Sequence, residues 1–323
     1  MSLYLITGIG GFIGSSIARA LLSRGEQVRG VDNFSTGSRD NIEEILDRID
    51  FREVDILDLD VMHNACAGVD FVFHQAAIPS VPKSVLDPVG SNRANVDGTV
   101  SVLVAARDAK VKRVIYAASS SAYGDTPTLP KHEAMRPDPI SPYAVAKLAS
   151  EHYMVSFYRC YGLETVCLRY FNIFGPRQDP SSPYSGVLAK FITQMLRGEQ
   201  PTIFGDGEQS RDFTYIDNAV EANLLACTAP ADKAAGQVFN TATGRRVTLN
   251  QTFTLLQGMT AYKGHPKYGP ERGGDIKHSL ADTTRVEAAL GYKPKVDFEE
   301  GLRRTVEWYR QSAVGLQTSD VSR

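Results

Sequence analysis

The sequence predicts an α/β protein: a doubly wound parallel sheet carrying a smaller mixed α/β lobe. Three observations lead there. Short apolar runs alternate with longer amphipathic ones through the first half of the chain, the order that gives parallel strands covered by helices on both faces. A glycine-rich turn, TGIGGFIG, joins the first apolar run to the first helical stretch. The 323 residues exceed what one core usually fills, and the texture changes after Arg169.

The strands are expected at LYLIT (3–7), QVRGV (27–31), FREVD (51–55), FVFHQ (71–75), RVIYAA (113–118) and TVCLR (165–169). They are short, β-branched and bounded by turn residues. Helical stretches such as FIGSSIARALLSRG and NVDGTVSVLVAARDAK lie between them. SPYAVAKLASEHYM opens another helix, with Ser141 as cap and Pro142 in the first turn. Beyond Arg169, FGPRQDPSSPYSG is a long loop rich in Pro, Gly and Ser, and loops of that size usually serve function. VFNTA (238–242) reads as one more strand, and an amphipathic helix near GLRRTVEWYRQ closes the chain. The expected division is 1–169, with a returning segment at about 212–242, against a lobe from 170–211 and 243–323.

Net charge is −2 with no long basic run, so neither nucleic acid nor an anionic membrane has electrostatic support as a partner. No apolar run approaches the roughly 20 residues of a membrane span. The four cysteines (66, 160, 167, 227) lack metal-ligand spacing, and the six histidines form no HExxH pair; no metal is expected. MSLYLITG has no basic leader, and free thiols suit a reducing compartment. The expectation is a cytoplasmic protein.

Gly8, Gly11 and Gly14 stand between a strand and a helix, where a pyrophosphate approaches backbone N–H groups at a helix N-terminus. Asp32 follows the second strand, placed to accept from ribose hydroxyls and to repel a 2′-phosphate. No arginine follows it in VDNFSTG, so NAD is favoured over NADP. Asp55, at the expected end of the third strand, stands where an adenine amine could be met.

RVIYAA runs out into SSSAYGD, Ser119 to Asp125. The plain reading is a turn. Ligands of parallel sheets, however, gather at the carboxyl ends of strands, and Ser119–Ser121 sit at one. Tyr143 and Lys147 are four apart and share a helical face. A phenol becomes a useful base only when its pKa of about 10 is lowered, as a nearby ammonium would do.

On these motifs the chain resembles the extended short-chain dehydrogenase/reductase family, over almost its whole length. TGIGGFIG matches its Rossmann turn and YAVAK its YxxxK pair. More narrowly it looks like the nucleotide-sugar 4-epimerases, sharing DNFSTG, SSSAYGD, RYFNIFGPRQDP, FGDGEQSRDFTYIDN and RGGDIKHSLAD. The resemblance implies an NAD site lined by Gly8, Gly11, Phe12, Ile13, Gly14, Asp32, Asn33, Asp55, Ile56, Ala76, Ala77, Asn95, Tyr143, Lys147 and Tyr170. It implies Tyr143 as base, assisted by Lys147, with Ser119 on the sugar 4-oxygen. For a UDP-sugar it implies contacts from Ser80, Ser120, Ser121, Asn172, Gln178, Val187, Leu188, Phe204, Arg211, Arg272, Asp275 and Ser279. It implies a homodimer through helices around 90–109 and 142–161.

Within the resemblance, 4,6-dehydratases and decarboxylases place acids where this chain has Ser120, Ser121 and Ala122, so no general acid for elimination is present. Asp179 is a poor partner for a uronate carboxylate, which disfavours UDP-glucuronate. Ser279 falls where some epimerases carry a bulky tyrosine, leaving room for an N-acetyl group. Pro79 departs from the small glycine that the N-acetylhexosamine enzymes can carry near the sugar. The expected activity is C4 inversion of UDP-N-acetylglucosamine, UDP-glucose, or both.

Overall fold

A computed structural model describes residues 1–180, 186–271 and 276–319, with side chains to residue 312. Seven strands form one sheet, numbered here along the chain: β1 (Leu3–Thr7), β2 (Gln27–Asp32), β3 (Asp50–Glu53), β4 (Phe71–His74), β5 (Arg113–Ser119), β6 (Glu164–Tyr170) and β7 (Gln237–Thr241). All pairings are parallel, in the order β7-β6-β5-β4-β1-β2-β3. This is the predicted doubly wound sheet. Its strand order reverses between β1 and β4, and the crevice outside the carboxyl ends there is where such sheets take ligands.

The strands form where the runs are apolar enough to be buried on both faces. β5 is buried at every position until Ser119, and Leu5, Ile6, Val72 and Phe73 are fully buried in the strands beside it. β3 ends two residues early, at Glu53, so Asp55 lies beyond the strand rather than at its end. β7 brings the chain back beside β6 from the later half.

Helix α1 (Phe12–Ser23) follows the glycine turn. The helix expected around 90–109 is interrupted. Pro88–Asn92 gives way to a π turn at Arg93–Asp97, and regular α2 (Gly98–Asp108) follows. The widened turn leaves the Asn95 carbonyl to accept from Thr99 Oγ1 (2.6 Å) and Ser150 Oγ (2.8 Å). Helix α3 (Pro142–Tyr161) starts as its sequence dictates: Ser141 accepts from the Ala144 N–H, Pro142 occupies the first turn, and left-handed Gly162 ends it. Such a cap is worth about 1 kcal/mol.

Apart from β7, the described strands beyond β6 are two or three residues long. They pair Ile173–Phe174 with Thr214–Tyr215, Thr202–Phe204 with Lys267–Gly269, and Ser210–Arg211 with Val247–Thr248. Helices Val187–Leu196, Leu249–Thr260 and Phe298–Ser319 pack around them. One apolar cluster runs from Ile6 and Phe73 through Phe174 to Phe191 and Leu256, so this part shares a core with the sheet. Among the described residues no helix is long and apolar enough to cross a membrane.

Candidate functional site

A cleft of about 2160 Å³ opens at the crevice between β1 and β4, well beyond the 300–1,000 Å³ of a pocket for one drug-sized ligand. Its floor is the glycine turn. Gly8 has φ +72°, and a Cβ there would lie 2.6 Å from the Ala76 nitrogen; at Gly14 it would lie 2.2 Å from the Gly8 carbonyl oxygen. Only glycine lets backbone, helix and strand approach this closely. Gly11 precedes α1 with no side-chain cap, which leaves the helix's first N–H groups for an anion. Phe12, Ile13, Asn33, Asp55, Ile56, Ala76, Ala77, Tyr170 and the three glycines all line this cleft.

Asp32 lines it too, 8 % exposed, with its carboxylate accepting from the Gly10 and Phe34 N–H groups at 2.8 Å each. Burial raises its pKa and these bonds pull it back. Asn33 donates to Asp55 at 3.0 Å, bridging the ends of β2 and β3. A buried acid and a cradle that a methyl group would fill fit a dinucleotide with free ribose hydroxyls. Asn95 is different: it stands behind the wall, accepting from the Ile78 N–H at 2.8 Å and returning a bond to the Ile78 carbonyl. Its amide shapes the loop after β4 rather than facing the cleft.

Ser119, Tyr143 and Lys147 meet at the inner end of the cleft. The Ser119 oxygen accepts from Ser121 N–H (3.1 Å) and Ser121 Oγ–H (2.8 Å). Its own hydrogen is thereby left free beside the Tyr143 phenol, whose pKa the neighbouring hydroxyl lowers. Enclosure nevertheless prevails and Tyr143 lies above its ordinary value. Lys147 is itself lowered to about 7 by burial. Its unfolded value is near 10.5, so between about pH 7 and pH 10 the unfolded chain binds more protons and the Lys147 contribution to stability rises with pH.

Three further serines named for the substrate stand away from the cleft lining. Ser80 is buried and caps the helix Val81–Leu86 by accepting from Lys83 N–H. Ser121 is committed to Ser119, and neither Ser80, Ser120 nor Ser121 lines the cleft.

A second cavity of about 250 Å³ adjoins the first, and Ile173 and Gln178 line both. Asn172, Val187, Leu188, Phe204 and Arg211 line it as well. Arg211 donates to the Ser210 and Lys277 carbonyls at 3.0 and 3.1 Å. Asn172 has φ +38° and donates to the Asp212 carbonyl at 3.1 Å. Ser279 lies outside both linings, on a segment whose N–H donates to the Ser210 carbonyl at 3.0 Å. Arg272 and Asp275 lie outside the described residues.

Three further residues position the site, and of these Asp212 and Ser84 went unread in the sequence. Asp212 is buried; its carboxylate accepts from Thr243 N–H and Oγ1–H, Gly244 N–H and Ala281 N–H. It ties three loops around the second cavity, and burial raises it to about 6. Ser84 accepts from the Tyr143 N–H at 3.0 Å. His74 is locked between two threonines: Thr7 donates to Nδ1 (2.7 Å) and Nε2 donates to Thr99 (2.9 Å). That tautomer follows because Thr99 gives its hydrogen to the Asn95 carbonyl. The buried imidazole stays neutral, its pKa near 3.

Residues 4–242 match the model of the NAD dependent epimerase/dehydratase family. The UDP-glucose 4-epimerase of Mycolicibacterium smegmatis is 37% identical over 313 residues, covering 96% of this chain and 99% of that protein. The crystal structure of UDP-glucose 4-epimerase with UDP-glucose from Thermotoga maritima superposes with a TM-score of 0.91 at 41% identity. It covers 96% of this chain and 99% of that one. The UDP-N-acetylglucosamine 4-epimerase of Methanobrevibacter ruminantium, in complex with UDP-N-acetylmuramic acid, gives 0.91 at 40%, with the same coverage. A match across most of the chain joins the glycine cradle, the acid that ends β2 and the tyrosine–lysine helix in one lineage, and the protein belongs to the NAD dependent epimerase/dehydratase family.

Proposed function

We propose that this protein inverts C4 of UDP-hexoses with a retained NAD, and that N-acetylated UDP-hexosamines are among its substrates. The observation that carries the reading is the meeting of the Ser119 hydroxyl and the Tyr143 phenol at the end of a cleft that begins at the dinucleotide cradle. The second cavity continues that cleft past Gln178 toward Arg211, Leu188 and Phe204. In this reading Phe204 and Leu188 pack the uridine, while Arg211, Asn172 and Arg272 hold the diphosphate.

The cleft lining of Gly8 to Gly14, Asp32, Asn33, Asp55, Tyr143 and Lys147 would hold NAD. Bound there, NAD supplies a two-electron sink that takes hydride from C4 and returns it. Ser119 hydrogen-bonds the 4-oxygen, and Tyr143 as phenolate takes the 4-hydroxyl proton directly or through Ser119. The diphosphate stays gripped while the 4-keto hexose turns, and Tyr143 then gives the proton back to oxygen on the opposite face. Ser120, Ser121 and Ala122 offer no acid for elimination, so the sugar leaves with its atoms unchanged in number.

The test is incubation with UDP-glucose, UDP-N-acetylglucosamine and UDP-glucuronate without added cofactor, followed by chromatography. C4 epimers of the two neutral sugars are expected, and no epimer from any of the three would overturn the reading. Ser279→Tyr is expected to cut turnover of the N-acetylated sugar roughly 100-fold and spare UDP-glucose. Equal survival of both activities would show that Ser279 is not the gate.

Homodimerisation belongs to the same reading. Val89, Val145 and Tyr153 are exposed, at 76 %, 52 % and 43 %, in the two helical regions named for it. Val145→Asp is expected to halve the mass measured by sedimentation; an unchanged mass would count against α3 as the interface. NAD, a nucleotide sugar and the free thiols of Cys66, Cys160, Cys167 and Cys227 together suit the cytoplasm.

A further inference from the structure

Lys147 brings an amine into the fold with no carboxylate among the described residues to meet it. Its side chain is buried, and among the described residues it pairs with no acid. Glu151, one turn further along α3, is taken by Arg169, which donates from Nε at 2.8 Å and Nη2 at 2.6 Å. What stands by the amine is an aromatic face: Nζ lies 4.5 Å from the ring centroid of Tyr116. Tyr116 is fully buried in β5, three residues before Ser119.

That ring is held in place by its neighbour across the strands. His74 and Tyr116 are register partners in β4 and β5, and their rings stack with centroids 5.5 Å apart. His74 is fixed by Thr7 and Thr99 and carries no charge. From β6, burial drives the Cys167 thiol well above its ordinary range, so it too is neutral, and Arg169 is occupied by Glu151. From α3 itself Tyr143 and Glu151 face the same region. The negative face of an aromatic ring attracts a cation, most strongly when water is excluded.

We infer that the Tyr116 ring is the seat of Lys147, favouring its ammonium form against burial and directing it into the cleft beside Tyr143. Tyr116 touches no reacting atom; it is a positioning residue. Its effect on turnover rests on the epimerase reading above, whereas its effect on the lysine does not.

The phenol hydroxyl contributes nothing to this. Tyr116 Oη is buried without a hydrogen-bond partner among the described residues; the nearby Ser150 hydroxyl donates to the Asn95 and Ala146 carbonyls instead. Tyr116→Phe therefore keeps the seat and strands no polar group. Replacement of Tyr116 by pentafluorophenylalanine keeps the ring's shape but reverses its face potential, and Tyr116→Leu removes the ring.

The experiment labels lysine with ¹³C at Cε, identifies the Lys147 signal from its loss in Lys147→Met, and follows its titration by NMR in the purified protein. Tyr116→Phe is expected to titrate as the parent does. The pentafluoro ring is expected to move the Lys147 midpoint to lower pH. It should also reduce kcat roughly tenfold relative to Tyr116→Phe, with the pH profile of kcat shifting alongside. A midpoint unmoved between the phenylalanine and pentafluoro variants would overturn the inference, even if Tyr116→Leu failed to fold. A shifted midpoint in a protein that epimerises no UDP-sugar would uphold the seat and refute the activity instead.

Discussion

Tyr143→Phe is expected to lose turnover by roughly 10³-fold, within the range that a single general base contributes, while the protein stays folded and keeps its NAD. The ring is retained, so packing in the cleft wall is unchanged, and the Tyr143 N–H still donates to Ser84. What disappears is the one oxygen that can take the 4-hydroxyl proton. Enclosure raises the phenol in the chain alone, and three groups can pull it down: the neighbouring Ser119 hydroxyl, the Lys147 ammonium one turn away, and a cationic nicotinamide. Ser119→Ala removes only the first and is expected to cost less than Tyr143→Phe. Turnover of Tyr143→Phe within tenfold of the parent, measured on UDP-glucose at saturating substrate, would remove Tyr143 from the mechanism.

The cradle and the tyrosine–lysine helix were legible because local chemistry marks them. Gly8 and Gly14 have no tolerable substitute, Ser141-Pro142 announces a helix start, and a spacing of four puts Tyr143 above Lys147 whatever the tertiary structure. The sheet was legible because its strands are buried on both faces and so read as unbroken apolar runs. What stayed hidden depends on contacts across the chain. Ser84 meets Tyr143 from 59 positions away, and Asp212 gathers N–H groups from residues 243, 244 and 281. Nothing local distinguishes that aspartate from its neighbours. Polar residues near a site are also ambiguous in one direction: Ser80, Ser121 and Asn95 carry the groups a ligand would want, yet their bonds go to Lys83, Ser119 and Ile78.

Glu151→Ala is expected to destabilise the fold by about 3–5 kcal/mol, the usual cost of breaking a buried ion pair from one side. Glu151 and Arg169 are 4 % and 3 % exposed, and their two hydrogen bonds pin α3 to β6. Burial alone would lower the Arg169 pKa, but Glu151 reverses the sign and holds it above the ordinary value. A guanidinium cannot escape by losing its proton. Without Glu151 it would remain charged in the core, with Nη1 already lacking a hydrogen-bond partner among the described residues and the Tyr123 ring 4.7 Å away. Against a total of roughly 5–15 kcal/mol, that is enough to lower the melting temperature by about 5–15 °C. Because Tyr143, Lys147 and Glu151 lie on one stripe of α3, the looser helix is also expected to lower turnover, though by less than tenfold at a temperature where the variant stays folded. Pairing Glu151→Leu with Arg169→Met separates the two explanations. If the loss comes from a stranded charge, the apolar pair recovers most of it. If it comes from lost contact between α3 and β6, the pair does not, and a calorimetric scan of both variants tells which.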